Sequence, residues 1–124
     1  MKVILTIFLS LTAQYSLAQN VEIKLFNKTE HDIKNLSYSG KDLGTLRKNN
    51  SITFRTDSLQ LYFDCPLGSP DGAIDGIKIT SIPGSVSGKN VRLVREGIFV
   101  FNVVLTKHNF PENAFTLDFQ KRKK

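Results

Sequence analysis

Three observations predict an all-β fold, a small antiparallel β-sandwich of about eight short strands. Alternation with a period of two recurs through residues 19–120, no stretch of helical length keeps a three-to-four spacing, and Gly, Pro, Asn and Asp punctuate the pattern. An open β-barrel is the alternative way to close the same strands.

The elements follow from the pattern in order. Val21, Ile23 and Leu25 alternate with Glu22 and Lys24, which gives a strand with one apolar face. Residues 33–38 form the next candidate, and Ser39-Gly40-Lys41-Asp42 is turn chemistry leading into residues 43–46. After a second turn at Arg47-Lys48-Asn49-Asn50, Ile52 and Phe54 point one way and Thr53 and Arg55 the other. These four pieces are expected to form a meander. Residues 59–65 put Leu59, Leu61, Phe63 and Cys65 on the inner face and Gln60, Tyr62 and Asp64 outside, and Pro66 ends that strand because it has no N–H to donate.

Residues 67–72 are expected to be a loop, Ile77 and Ile79 mark another strand, and Pro83-Gly84 breaks it before a polar connector over residues 85–90. Residues 91–94 are a short strand, and Arg95-Glu96-Gly97 is the tight turn of a hairpin into residues 98–105. That run has a single polar member, Asn102, so it is expected to be central with both faces covered. A loop over residues 107–113 leads to a last strand, in which Phe115, Leu117 and Phe119 alternate with Thr116 and Asp118.

Residues 1–18 carry a different pattern. Met1-Lys2 precede an apolar run over residues 3–11, and a polar segment ends in Ser16-Leu17-Ala18, small residues that suit a signal peptidase. A cleavable secretory signal is predicted, cut between Ala18 and Gln19. The run falls short of the ~20 residues a span needs, so no transmembrane segment is expected in the mature chain. The remaining 106 residues fit one domain over 19–120 and a basic tail over 121–124.

The formal net charge of +6 resides mostly in that tail, Lys121, Arg122, Lys123 and Lys124. Residues 19–120 hold twelve Lys and Arg against eleven Asp and Glu, interleaved along every segment, which argues against a nucleic-acid-binding face. The tail is a solvated end or an electrostatic contact to an anionic surface. Cys65 is the single cysteine, so no internal disulfide can form, and its inward parity makes it a core residue.

The stretch Phe26-Asn27-Lys28-Thr29, Asp32-Ile33, Leu36, Gly40-Lys41 and Leu43-Gly44-Thr45-Leu46 resembles the opening of small secreted bacterial β-proteins whose function is not established. The resemblance is confined to residues 26–46. It implies a bacterial exported domain and supplies no site residues.

Motifs that carry chemistry are weighed one by one. Asp64, Asp71 and Asp75 form the densest acidic group, but their spacing is wrong for an EF-hand loop, and Asp-Gly pairs are turn chemistry. Gly84-Ser85-Val86-Ser87-Gly88-Lys89-Asn90 lacks the spacing, the final hydroxyl and the following helix of a phosphate-binding loop. His31 and His108 both lie in expected turns or loops, leaving no triad and no zinc spacing. Asn27-Lys28-Thr29, Asn35-Leu36-Ser37 and Asn49-Asn50-Ser51 fit the glycosylation pattern, which matters only in a eukaryotic secretory pathway.

The sequence therefore points to a secreted or periplasmic, non-catalytic binding domain without a cofactor, whose partner is a protein or a cell-envelope polymer. The alternatives are a small secreted hydrolase, acting on glycan through carboxylates that no motif assigns, and a surface-tethered structural or adhesive subunit. Tyr62 is the expected exposed aromatic contact, and Lys121, Arg122, Lys123 and Lys124 are the expected electrostatic one.

Overall fold

The structure, a computed structural model, describes residues 19–80, 90–108 and 114–122, with the side chains of His108 and Ala114 excluded. The predicted leader, residues 81–89 of the connector region, residues 109–113, and Lys123 and Lys124 lie outside the described residues. Within them the protein is a β-sandwich of eleven strands without an α-helix: β1 (Val21–Asn27), β2 (Ile33–Tyr38), β3 (Lys41–Leu46), β4 (Ser51–Thr56), β5 (Leu59–Tyr62), β6 (Cys65–Pro66), β7 (Asp71–Ile74), β8 (Ile77–Ile79), β9 (Val91–Val94), β10 (Gly97–His108) and β11 (Ala114–Lys121). One sheet runs β11-β10-β1-β4, a second β3-β2-β7-β8, and a small third β6-β5-β9. The sheets are not closed into a barrel.

Burial follows the alternation where the strands are regular. Val21, Ile23 and Leu25 of β1 are buried, and they meet Phe101 and Val103 of β10 and Leu117 of β11 in one core with Ile33, Leu36, Leu46, Leu59 and Leu61. In β2 and β3 the buried residues are instead three apart, Ile33 with Leu36 and Leu43 with Leu46. Register shifts interrupt that ladder, and Asn35 and Gly44 take left-handed backbone there, so one extra residue is absorbed and both apolar side chains return inward.

The strand pairing corrects several expectations. The first four strands are not a meander: β1 pairs with β4, whereas β2 and β3 form a hairpin in the other layer. Arg95 and Glu96 do not close a hairpin, because β9 pairs with β5 and β10 pairs with β1 and β11. They are a corner between sheets. The β1–β10 pair is parallel, so the sandwich is not wholly antiparallel. Nor is β10 covered on both faces, since Ile98 is 73% exposed while Val103 is fully buried. Two segments expected to be loops are in strands: Asp71 and Gly72 begin β7, and the backbone of Lys107 and His108 completes β10. The strand expected over residues 59–65 stops at Tyr62 and reverses, so Pro66 ends the two-residue β6 and not that strand, and Lys121 belongs to β11 rather than to a tail.

Asn27 fixes the first crossing between layers. Its side-chain amide donates to the carbonyls of His31 (2.7 Å) and Leu46 (3.0 Å), and its Oδ1 accepts from the backbone N–H (2.9 Å) and hydroxyl (2.7 Å) of Thr29. Asn27 and Thr29 are both buried, so this member of the glycosylation pattern is inaccessible in the folded chain. A second tie joins all three sheets. Tyr38 of β2 packs edge-on against Phe119 of β11 at 4.9 Å and donates its hydroxyl to the carbonyl of Leu67, just after β6, at 2.6 Å.

Replacing Asn27 with Ala strands these buried groups, and a loss of about 3 kcal/mol of unfolding free energy is expected, read as a lower denaturant midpoint. Burial pushes the Tyr38 phenol up from 10.0 to about 12. The fold favours the neutral form, so this contribution is complete below pH 10.0 and disappears as pH rises through about 12. Stability is expected to fall across that window, and Tyr38→Phe to flatten the fall.

Candidate functional site

Among the described residues, three two-residue turns use left-handed backbone at both central positions, the geometry that matches strand twist. Ser39-Gly40 joins β2 to β3, and Asp75-Gly76 joins β7 to β8. The third, between β5 and β6, is Phe63-Asp64, with φ of 51° and 63°. Asp tolerates this conformation, whereas a bulky aromatic is an outlier there.

The turn explains why parity failed after Tyr62. Reversal of the chain at Phe63 sends that side chain outward, 69% exposed, although the alternation placed it in the core. Cys65, expected to be inward, is half-buried and lies opposite Tyr62 in the β5–β6 ladder. Tyr62 itself is half-buried, and its ring packs against Phe63 at 4.5 Å with the planes 70° apart. The expected exposed aromatic is therefore the support, and Phe63 is the tip.

Asp64 turns the other way, into a groove of about 490 Å³ between the turn, β9, the start of β10 and the end of β11. Its carboxylate lies 3.4 Å from Arg92 and 3.7 Å from Lys121. Leu61, Phe99 and Phe101 supply much of the apolar wall, and Ile98 and Val100 extend it to the rim. Arg122 closes one end of the groove. Its guanidinium stacks 3.8 Å over the Phe26 ring and donates to Asn102 Oδ1 at 3.0 Å. Lys24 approaches the same ring at 5.1 Å.

Two of the four basic residues at the chain end are thus built into the sheet and the groove, through the ion pair of Lys121 and the stacking of Arg122. Lys123 and Lys124 lie outside the described residues. The sequence-predicted contacts Tyr62, Lys121 and Arg122 converge on one corner of the molecule. Phe63, Arg92 and Ile98 were missed. The available clue was the shortness of the apolar run before Cys65-Pro66, which leaves room for a reversal that strict alternation hides.

The acids at Asp64, Asp71 and Asp75 are not brought together. Asp64 serves the groove, Asp71 lines a separate polar hollow with Asn35 and Ser37, and Asp75 sits at the β7–β8 turn with its Oδ2 3.9 Å from His31 Nδ1. Among the described residues, no group of three or more His, Cys, Asp or Glu is placed to hold a metal ion.

Comparison with family models, curated proteins and solved structures finds no match to this chain.

All three members of the Asp64 ion-pair set are more than half exposed. Asp64→Asn is accordingly expected to change the unfolding free energy by less than about 1 kcal/mol in a denaturant titration, while raising the positive charge of the groove.

Proposed function

We propose that this protein is an exported, non-catalytic domain that works by binding, presenting the corner around Phe63 to a protein or an envelope polymer. One observation supports this reading above the others. A large aromatic ring stands in solvent on a turn whose backbone it suits poorly, at a cost of about 1–3 kcal/mol that Asn or Gly would avoid. Strained backbone clusters at ligand clamps and other functional sites, and here it stands beside a groove lined by apolar and charged side chains.

The export half of the proposal rests on the leader pattern of residues 1–18. The chemistry half rests on what the groove offers. Its carboxylate, Asp64, faces two cations at 3.4 and 3.7 Å, an arrangement that holds a turn in place and orients basic side chains.

Phe63→Asn in the mature chain separates binding from folding. The variant is expected to be more stable by about 1 kcal/mol and to lose saturable co-sedimentation with isolated envelope fractions or their extracted proteins. Ile77→Asn, at an exposed apolar site in β8, should leave that binding intact. Equal binding by native protein and Phe63→Asn would remove the corner from the proposal, and no saturable binding by the native chain would overturn the binding role itself.

A further inference from the structure

We propose that the first four residues of β10 are a docking edge for an extended, acidic segment of a partner protein, which pairs with them as an added strand. This rests on the binding role argued above and specifies its partner chemistry. β11 pairs with β10 from Phe101 to His108. Gly97, Ile98, Phe99 and Val100 pair with β1 on one side, and with nothing on the other among the described residues. Alternate residues of such a segment turn their N–H and C=O toward the open side, where a peptide backbone satisfies them. The groove runs along this same edge.

Side chains then select the segment. Ile98 and Val100 stand on one face of the strand, 73% and 36% exposed, Phe99 and Phe101 stand on the other, and all four line the groove. An added strand would therefore meet apolar surface on both of its faces, at alternate positions. Arg92, Lys121 and Arg122 line the groove with the single carboxylate of Asp64, an excess of two positive charges in that lining. Glu22, the β1 partner of Ile98, is already engaged by Arg55 at 3.3 Å. The field at the edge favours Asp and Glu in the incoming strand.

The same charges disfavour two other occupants. Lys123 and Lys124 would add cations to cations if the chain end continued along the edge. A second copy would set the same basic groups against their own counterparts. A lipid headgroup matches the charge but leaves the backbone groups of β10 unpaired.

The test uses the mature chain and a labelled, capped eight-residue peptide of alternating Glu and Val. Two controls are a Lys–Val peptide and a Glu–Val peptide N-methylated at alternate residues, which cannot donate to a strand edge. Saturable Glu–Val binding is expected, weakened by salt, reduced roughly tenfold by Arg92→Glu, absent with both controls, and accompanied by slowed amide exchange at residues 97–100. Equal binding of the N-methylated peptide would overturn strand addition. Failure of the Glu–Val peptide to bind both the whole mature chain and a chain ending at Arg122 would overturn the acidic segment. Binding that appears only in the shortened chain would make the chain's own end the occupant and overturn the proposal. Dimerisation abolished by Ile98→Lys would overturn it in favour of a second copy. In each case Phe63-dependent binding to the envelope fraction, measured separately, reports whether the broader role survives.

Discussion

The side chain of Asn27 is the constraint on which the arrangement of the layers depends. The chain must leave β1 in one sheet and enter β2 in the other, and a buried crossing exposes backbone groups that have lost their ladder partners. Asn27 satisfies them from both ends, with its amide donating to the carbonyls of His31 and Leu46 while its oxygen holds Thr29. Leu46 is the last residue of β3, so the same side chain that starts the excursion into the second layer also ties down its return. The backbone N–H of Asn27 donates to the Asn50 carbonyl and that of Lys28 to the Val103 carbonyl, which anchors the crossing to the turn before β4 and to β10. With these positions set, β1 is held between β4 and β10, and its three inward aliphatics become the centre of the core.

From that centre the rest of the packing follows by proximity. Leu117 of β11 comes against β7 so closely that a Cβ on Gly72 would lie 3.3 Å from it and 2.5 Å from Ile33, which leaves glycine as the residue that fits. Tyr38 spans the remaining gap between the second sheet, β11 and the segment after β6. The small third sheet is therefore fastened on its β6 side, and its turn at Phe63-Asp64 hangs over the start of β10. The groove is the space left where the third sheet meets a strand whose other neighbour stops short.

Local pattern revealed the elements better than their partners. Alternation in residues 21–25 and 52–55 correctly separated the more buried from the more exposed side chains, because both strands are regular and have one apolar face. It could not show that these two strands pair with one another, since the choice depends on buried groups such as Asn27, whose short polar side chain looks like turn chemistry in the sequence. The hairpin expected at Arg95-Glu96-Gly97 fails for a related reason: a polar corner between two strands looks the same whether the second strand folds back or crosses to another sheet. The uniform hydrophobicity of residues 98–105 suggested two covered faces, whereas half of its early residues face solvent. At this corner Lys121 and Arg122 stand out in the sequence by charge, whereas parity puts Tyr62 outside and the structure half-buries it against Phe63. Phe63 itself was not legible, because a left-handed aromatic contradicts the local rule used to read it.

A left-handed aromatic, an open stretch of strand edge and a group of cations coincide at this one corner. Charged residues stand on several other edges, with Lys41 and Asp42 on β3, Arg55 on β4 and Lys78 on β8, although β8 also exposes Ile77. At the start of β10 the edge instead carries exposed Ile98 and Val100, and its charges lie around the groove rather than on the strand. A bare apolar edge invites promiscuous pairing, and under the strand-addition proposal the neighbouring cations are what narrow it to acidic chains. Asp64 lies 3.4 Å from Arg92 and 3.7 Å from Lys121 at the groove, at little energetic gain of its own. The strained turn that presents Phe63 is also the turn that delivers Asp64, so the aromatic tip, the charge arrangement and the open strand edge are consequences of one reversal of the chain.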